Sequence, residues 1–347
     1  MGHMPITRSS RAGAAIAVLA LAAPVATAAA DGLPLPVEDS PSGVLSHDGA
    51  SRYLSVTLAD RTAVLAQDAV SGEVRSRAEL RGRFGIPLVA YDSTAGGVSA
   101  DGRTLVLIRP RRAFPRRDTT LAVMSTRRGL RLRRIVRLHG DFSYDALSPD
   151  GGSLFLINYL SPTDPTQYRV RVYDLARNRL EPKPIVDPRE APDEMNGFPV
   201  TRVSSRDGRW AYTLYDGAGK HPFIHALDTR ERKAVCIDLE GAPFAPGTDP
   251  YTLRLALAGG GSRLDLRRKG ALVATVDTAT LRVRSGAIAL AAAGAVPRAT
   301  GNPAGPDPLW PGIAVALVAA GLLGRRIARR PARRHSGEEV VVTEIVR

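Results

Sequence analysis

The chain has 347 residues, with 48 Lys and Arg against 34 Asp and Glu, which gives a formal net charge of +14. Hydrophobic residues make up 44% of it, enough for a packed core in one large domain of about 250 residues with appendages. Cys236 is the single cysteine, so an intramolecular disulfide is excluded. Its apolar neighbours predict a buried small hydrophobic residue, and a reactive thiol is disfavoured.

The first 30 residues predict a secretory signal peptide. Arg8 and Arg11 precede an apolar run over residues 12–23, and small residues further on predict cleavage near Ala28 or Ala30. An uncleaved N-terminal anchor is the alternative, but Pro24 makes the apolar run short for a membrane span. Residues 31–42 are predicted to be a Pro-rich lead-in to the folded domain.

A repeated turn signal organises residues 43–295. The pattern Ser-x-Asp-Gly stands before an apolar run at Ser46, Ser99, Ser148 and Ser205, in steps of 53, 49 and 57 residues. A degraded copy at 258–261 lies 53 residues further on. Gly accepts the positive φ of a tight turn and the Asp side chain caps the turn backbone, so a structural role is favoured over ligand binding. The predicted structural turn residues are Asp48, Gly49, Asp101, Gly102, Asp150, Gly151, Asp207 and Gly208.

A second mark follows each turn, and together they predict the fold. It reads Gln-Asp at 67–68, Ser-Thr at 125–126, Tyr-Asp at 173–174, Leu-Asp-Thr at 227–229 and Val-Asp-Thr at 276–278. Residues 146–180 contain about four short strand patterns, which is the size of one propeller blade. We therefore predict an all-β fold with almost no helix, a β-propeller of five or six four-stranded blades over residues 43–295.

The repeats resemble those of a known class of proteins. Residues 98–105 (VSADGRTL) and 147–151 (LSPDG) resemble the SPDG-type repeat of TolB-like, WD-repeat-like and YVTN-type β-propellers. Residues 273–280 (VATVDTAT) resemble the later half of a YVTN-type repeat. The resemblance covers roughly residues 40–290 and implies a propeller, an architecture that hosts binding modules and enzymes alike. The Trp-Asp dipeptide of true WD repeats is absent from the sequence.

The C-terminal part predicts a membrane anchor. Residues 296–308 form a Pro/Gly linker, and residues 309–324 are uncharged, with Trp310 placed as an interfacial aromatic. This run is short against the roughly 20 residues of a full span, but a snorkelling Arg325 can extend it; a buried core helix is the alternative. Six arginines at the start of the tail, residues 325–347, follow the positive-inside rule. We expect a single-pass cell-membrane protein with an extracytoplasmic repeat domain and a basic cytoplasmic tail.

A run of arginines in the second repeat is the predicted binding site. Clustered guanidinium groups attract phosphate, and Phe114 and Pro115 within the run suggest a loop tip. A domain outside the membrane is not expected to meet nucleic acid, so an anionic envelope polymer or a lipid head group is the predicted partner. A solvated pair of outer strands on one blade is the alternative explanation, and the residue pattern by itself favours it. The predicted binding residues are Arg109, Arg111, Arg112, Arg116 and Arg117, in loop 109–118; loops 159–168 and 187–199 are predicted to lie on the same face.

The sequence predicts neither a catalytic residue nor a cofactor. It contains no Gly-x-Ser-x-Gly elbow, phosphate loop or His-Glu-x-x-His motif. His221 and His225 are four apart and would share a face of a strand, but a metal site needs a third ligand, so no metal is assigned. We expect a membrane-anchored, non-catalytic binding or scaffold propeller. The alternatives are a propeller enzyme of the lactonase or hydrolase type with a metal in the central channel, and a structural partner in an envelope complex.

Overall fold

Five antiparallel sheets follow one another along the chain in the computed structural model, which describes residues 40, 42–190, 196–245 and 247–285. Within each sheet the strands pair in sequence order, and we call these sheets blades 1 to 5. Their strands are β1 (Val44–Leu45), β2 (Ser51–Leu58), β3 (Arg61–Asp68) and β4 (Val74–Arg81) in blade 1; β5 (Thr104–Ile108), β6 (Asp118–Ser125) and β7 (Arg131–His139) in blade 2; β8 (Phe142–Leu147), β9 (Ser153–Tyr159), β10 (Tyr168–Asp174) and β11 (Arg179–Leu180) in blade 3; β12 (Pro199–Ser204), β13 (Trp210–Tyr215), β14 (Phe223–Asp228) and β15 (Lys233–Asp238) in blade 4; and β16 (Leu253–Ala258), β17 (Arg263–Arg268), β18 (Ala271–Asp277) and β19 (Val283–Ser285) in blade 5.

The all-β prediction is confirmed, because the described residues contain no α-helix and only four short 3₁₀ turns, at Gly217–Gly219, Ala242–Phe244, Pro250–Thr252 and Gly259–Gly261. No helix among these residues is long and apolar enough to cross a membrane. The predicted signal peptide (1–30), linker (296–308), membrane span (309–324) and tail (325–347) lie outside the described residues, so these four segments stay predictions.

Blade 2 departs from the predicted four strands. Its innermost segment makes only an isolated bridge between Val98 and Leu105, so the sheet has three regular strands. Gly97 takes φ of +109°, outside the extended region, and a Cβ there would lie 2.5 Å from the Val106 carbonyl oxygen. Its own carbonyl still accepts from the Val106 N–H at 2.7 Å. The inner edge is therefore occupied, but by backbone that cannot continue as a strand.

The four Ser-x-Asp-Gly segments form turns of one geometry between the first two strand segments of blades 1 to 4. In each, the Ser Oγ donates to the Asp Oδ1 at 2.5–2.6 Å. The same Oδ1 accepts from the backbone N–H two residues later, and the Gly has a φ between +67° and +71°. These bonds lower the pKa of Asp48, Asp150 and Asp207, with the Ser hydroxyl as the largest cause. The eight predicted turn residues are thus all engaged in turn backbone.

The second sequence mark ties each outer turn to an inner one. Asp228 caps the turn after β14 by accepting from the N–H groups of Arg230 and Glu231 at 3.0 and 2.9 Å. The next residue, Thr229, donates its hydroxyl to the Gly208 carbonyl at 2.9 Å. Thr126 and Thr278 make the corresponding bonds in blades 2 and 5. The spacing between the two marks is therefore set by a contact between two turns of the same blade.

Each pair of consecutive blades shares an apolar cluster. Fully or nearly fully buried side chains from both partners meet, with Val64 and Leu105 between blades 1 and 2, Val123 and Leu154 between 2 and 3, Phe155 and Leu227 between 3 and 4, and Leu214 and Leu266 between 4 and 5. Inner segments of all five blades line one central channel of about 430 Å³, where Val44, Val98, Ala146, Val203 and Leu257 are among the wall residues. Five consecutive antiparallel blades around a common channel make a β-propeller.

Candidate functional site

The loop between β5 and β6 carries all five predicted binding arginines, and a buried carboxylate holds it in place. Arg111 donates to Asp141 through Nη2 at 2.6 Å and through Nε at 3.1 Å. Arg116 donates to the same carboxylate through its backbone N–H at 2.9 Å and through Nε at 3.2 Å. The Asp141 side chain is only 2% exposed. One carboxylate therefore closes both ends of the loop with charge-assisted hydrogen bonds.

Neighbouring groups of blade 3 complete this attachment. The Arg111 guanidinium lies over the Tyr159 ring at 5.1 Å, and the Phe114 ring meets that ring edge-on at 5.6 Å. Arg116 also donates to the carbonyl of Arg109 at 2.8 Å and to that of Phe142. Burial, together with repulsion from Arg111, lowers the pKa of Arg116 to about 10, so the group stays protonated at neutral pH. Arg111 and Arg116 thus act as internal supports of the loop.

The remaining arginines line an open cleft of about 1200 Å³ between blades 1 and 2. Arg109, Arg112 and Arg117 from the loop are exposed there, together with Arg83 from the end of blade 1. Arg109 stacks over Phe84 at 5.6 Å, and the Arg83 Nε donates to the Ala59 carbonyl at 3.3 Å. Two exposed carboxylates, Asp60 and Asp118, also belong to the cleft wall. We call this feature the arginine cleft.

The predicted set of five arginines therefore divides into two largely buried supports, Arg111 and Arg116, and three residues that face solvent. Sequence reasoning missed Arg83, because this residue belongs to the preceding repeat and meets the loop only through the packing of blade 1 on blade 2. It also missed Asp141, which follows the loop by more than 20 residues. A lone Asp directly after Gly140 carries no sequence signal for a contact with a distant loop.

The charge of the chain is concentrated around this cleft. Residues 81–140 contain 14 arginines, three aspartates and neither Lys nor Glu, a formal charge of +11 within a chain of +14. The exposed arginines of this stretch outside the cleft include Arg127, Arg128, Arg131, Arg133 and Arg137. No carboxylate of the described residues forms an ion pair with these five. Such a local excess of one sign creates a strong positive potential.

The other two predicted loops are less basic. In loop 159–168 Asp164 accepts from the N–H and hydroxyl of Thr166, which makes a local turn. In loop 187–199, residues 191–195 lie outside the described residues. Burial alone would raise the pKa of Asp187, but hydrogen bonds from Arg189 and from the Cys236 N–H outweigh it and lower that pKa to about 2. Asp187 therefore links its own loop to β15 through these hydrogen bonds.

The central channel contains few groups with metal-binding chemistry. Its wall includes His47 and Asp145, and the Asp145 carboxylate pairs with Arg202 from blade 4. No group of three or more His, Cys, Asp and Glu side chains within the described ranges is placed to hold a metal ion. His221 is exposed before β14, whereas His225 within that strand is fully buried, so they do not form a pair of ligands.

A polar row crosses blade 4 on the face that packs against blade 3. Arg202, Thr213, His225 and Cys236 stand side by side on β12 to β15. Neither ring nitrogen of His225 nor the Asp145 Oδ2 has a hydrogen-bond partner among the described residues. Burial lowers the pKa of His225 to about 4 and raises that of Cys236 to about 12. Cys236 is 8% exposed, so the prediction of a buried thiol is confirmed.

Comparison with known proteins gives no family by sequence. No family model matches the chain, and no curated protein matches it either.

The structural neighbours include TolB and WD-repeat β-propeller domains. TolB from Acinetobacter baumannii is 12% identical over 67% of this chain and 50% of its own, with a TM-score of 0.38. The Cps50 (Swd1) β-propeller domain of Myceliophteria thermophila is 14% identical over 69% of this chain and 66% of its own, with a TM-score of 0.40. Hydrazine synthase of Kuenenia stuttgartiensis is 15% identical over 70% of each chain, with a TM-score of 0.42. The propeller assignment itself stands on the chain's own sheet topology and central channel.

Proposed function

We propose that this protein is a membrane-anchored, extracytoplasmic β-propeller that acts as a non-catalytic binding module, with the arginine cleft as its contact site for an anionic ligand. The observation that carries the proposal is that the arginines of loop 109–118 have two different roles, one structural and one facing the cleft. Arg111 and Arg116 fasten the loop to Asp141, and the fastened loop presents Arg109, Arg112 and Arg117 to an open cleft. A site that is held in its binding geometry before the ligand arrives loses less entropy on binding.

Guanidinium groups suit phosphate and carboxylate because their planar fork donates two parallel hydrogen bonds. The cleft places four exposed guanidinium groups around one open volume, and its lining contains only two carboxylates among the described residues. The extracytoplasmic location rests on the signal peptide, the apolar run at 309–324 and the arginines that follow it. An anionic polymer of the cell envelope is the ligand that this location and this chemistry favour together.

The test compares two variants of the full chain that remove the same charge. In the cleft variant, Arg109, Arg112 and Arg117 are each changed to Gln. In the control variant, Arg206, Arg230 and Arg282, which are exposed on blades 4 and 5, are each changed to Gln. Binding of short-chain inorganic polyphosphate is measured by calorimetry on protein purified in a mild detergent.

We expect the cleft variant to bind roughly 10 to 100 times more weakly than the unchanged chain, since three exposed ionic contacts contribute about 0.5–1 kcal/mol each. The control variant should bind like the unchanged chain. Equal losses in both variants would show a general charge effect and would refute a defined site. Absence of binding by the unchanged chain would refute the proposal outright.

A further inference from the structure

The basic surface does not end at the cleft. Arg117 is joined to the end of blade 2's outer strand, because its carbonyl accepts from the Gly140 N–H at 2.7 Å. On that strand, β7, Arg137 pairs with Thr120 of β6, close to the point where loop 109–118 ends and β6 begins. Arg137 lies two residues from Ile135, which packs into the cluster between blades 1 and 2. Arg137 therefore lies on the side of β7 that faces blade 1 and the cleft.

Further arginines continue along β7 to the opposite end of the blade. Arg133 and Arg131 lie along this strand, and Arg128 and Arg127 lie in the turn before it. At about 3.3 Å per residue, the six steps from Arg137 to Arg131 extend the basic surface by roughly 20 Å along the exposed outer edge of blade 2, with Arg137 on the side that faces blade 1 and Arg131, opposite Ser125, on the other side. We call the surface formed by Arg127, Arg128, Arg131, Arg133 and Arg137 the basic rim.

The facing strand of blade 1 shows that such a charge excess is not a general property of these outer strands. On β4, Arg75 is paired with Asp68, and Arg77 is paired with Glu79 at 2.6 Å, whereas Arg81 at the end of the strand has no ion pair among the described residues. The two outer strands approach each other where the Leu130 N–H donates to Ser76 Oγ at 2.9 Å. Within the described residues, carboxylates pair with two of the three arginines of β4 but with none of the four arginines of β7. Arginines without carboxylate partners repel one another unless an external anion neutralises them.

We propose that the ligand of the arginine cleft is a linear polyanion that continues out of the cleft and along the basic rim. This inference rests on the proposed function and specifies its ligand class as a chain of repeated phosphate or carboxylate groups. A compact anion would use the cleft alone and would leave the five rim arginines without a role. A lipid surface is the competing occupant, and the experiment below separates it from a linear polymer.

The experiment measures affinity against polymer length. The full chain, the cleft variant, a rim variant with Arg131, Arg133 and Arg137 each changed to Gln, and the control variant at Arg206, Arg230 and Arg282 are titrated with short-chain and long-chain inorganic polyphosphate at several salt concentrations. All substituted residues are exposed, so each variant is expected to fold, and circular dichroism with thermal unfolding verifies this.

For the unchanged chain we expect long-chain polyphosphate to bind about ten times or more tightly than the short chain at equal concentration of binding sites. The rim variant should lose that advantage, show a shallower salt dependence for the long chain, and bind the short chain normally. The cleft variant should lose affinity for both polymers. The control variant should match the unchanged chain with both.

Two results would overturn the inference while leaving the proposed function intact. One is a rim variant that keeps full affinity for the long polymer. The other is tighter binding to vesicles of phosphatidylglycerol than to the long polymer, with vesicle binding lost in the rim variant, which would identify a membrane surface as the occupant. Absence of short-chain binding by the unchanged protein would instead refute the proposed function itself.

Discussion

Two buried ion pairs join blade 3 to its neighbours, and they differ in how completely they are satisfied. At the junction with blade 2, both oxygens of Asp141 accept hydrogen bonds, from Arg111 and from Arg116. At the junction with blade 4, Asp145 Oδ1 accepts from Arg202, but Oδ2 has no partner among the described residues. The first site supports a loop beside an open cleft. The second lies at the wall of the central channel, near His225, whose ring nitrogens find no hydrogen-bond partner in the part of the chain that the structure describes.

This difference separates two uses of a buried charge. A fully bonded carboxylate at the rim of a fold can fix a loop in one conformation, because each arginine it binds is an anchor with defined geometry. A partly bonded pair in the core contributes less net stability, because desolvation of both ions offsets much of their attraction. We therefore expect substitution of Asp141 to weaken ligand binding. We expect substitution of the partner of Asp145 to lower the free energy of unfolding through the junction of blades 3 and 4.

The largest effect is expected at the blade 3–blade 4 junction. Changing Arg202 to Leu leaves the Asp145 carboxylate, 2% exposed, without its cation, and should lower the free energy of unfolding by about 3–5 kcal/mol. Changing Asp145 to Leu in the same chain removes the uncompensated charge and should restore most of that loss. Urea denaturation of the two single variants and the double variant measures the coupling. Losses that simply add in the double variant would contradict this account.

A smaller loss of stability, but a loss of binding as well, is expected at the blade 2–blade 3 junction. Changing Asp141 to Asn weakens the bonds to Arg111 and Arg116, and should lower the free energy of unfolding by about 2–3 kcal/mol, since the Arg116 side chain, 11% exposed, keeps some contact with water. Amide exchange in residues 109–118 should become faster, and affinity for polyphosphate should fall although no cleft arginine has been altered.

Glu79→Gln is the matched control for this variant. Glu79 pairs with Arg77 and Arg61, but its side chain is 41% exposed, so its loss should change stability by less than about 1 kcal/mol and leave polyphosphate binding unchanged. If Asp141→Asn keeps the full affinity of the cleft, the idea that this carboxylate preorganises the loop is wrong.

The smallest effect at neutral pH, and one that grows with acidity, is expected from His225. Its pKa in the folded protein is about 4, below the usual value of 6.5, because the buried ring disfavours a positive charge. The unfolded chain therefore binds a proton first as the pH falls. The stability that comes from keeping His225 neutral is complete above pH 6.5 and is lost as the pH falls from 6.5 through 4, to a total of about 3 kcal/mol.

His225→Leu should remove this part of the pH dependence. The difference in unfolding free energy between the variant and the unchanged chain, measured by urea denaturation, should shift in favour of the variant by about 1–3 kcal/mol between pH 7 and pH 4.5. Titration of the carboxyl groups is common to both proteins and cancels in the difference. A difference that stays constant over this range would mean that the folded protein already accommodates a charged His225.

Local patterns determined the repeat architecture of this protein in advance of any structure. Each Ser-x-Asp-Gly turn is closed by hydrogen bonds within six residues, so a short stretch of sequence contains all that the turn requires. Strand type and the absence of α-helix follow from the same short-range patterns. The regular spacing of the turns then predicted blades, and five of them lie within the described residues.

Tertiary structure alone decided which arginines can meet a ligand and where a predicted strand fails. Arg111 and Arg109 are indistinguishable by local pattern, but Arg111 meets Asp141, which is 30 residues away, and becomes buried. Asp145 and Arg202 are 57 residues apart and meet only because blades 3 and 4 pack together. Likewise the backbone at Gly97 depends on its contact with Val106 in the folded sheet. Short-range hydrogen bonds are encoded by neighbouring residues, whereas burial and ion pairing depend on which distant segments the fold brings together.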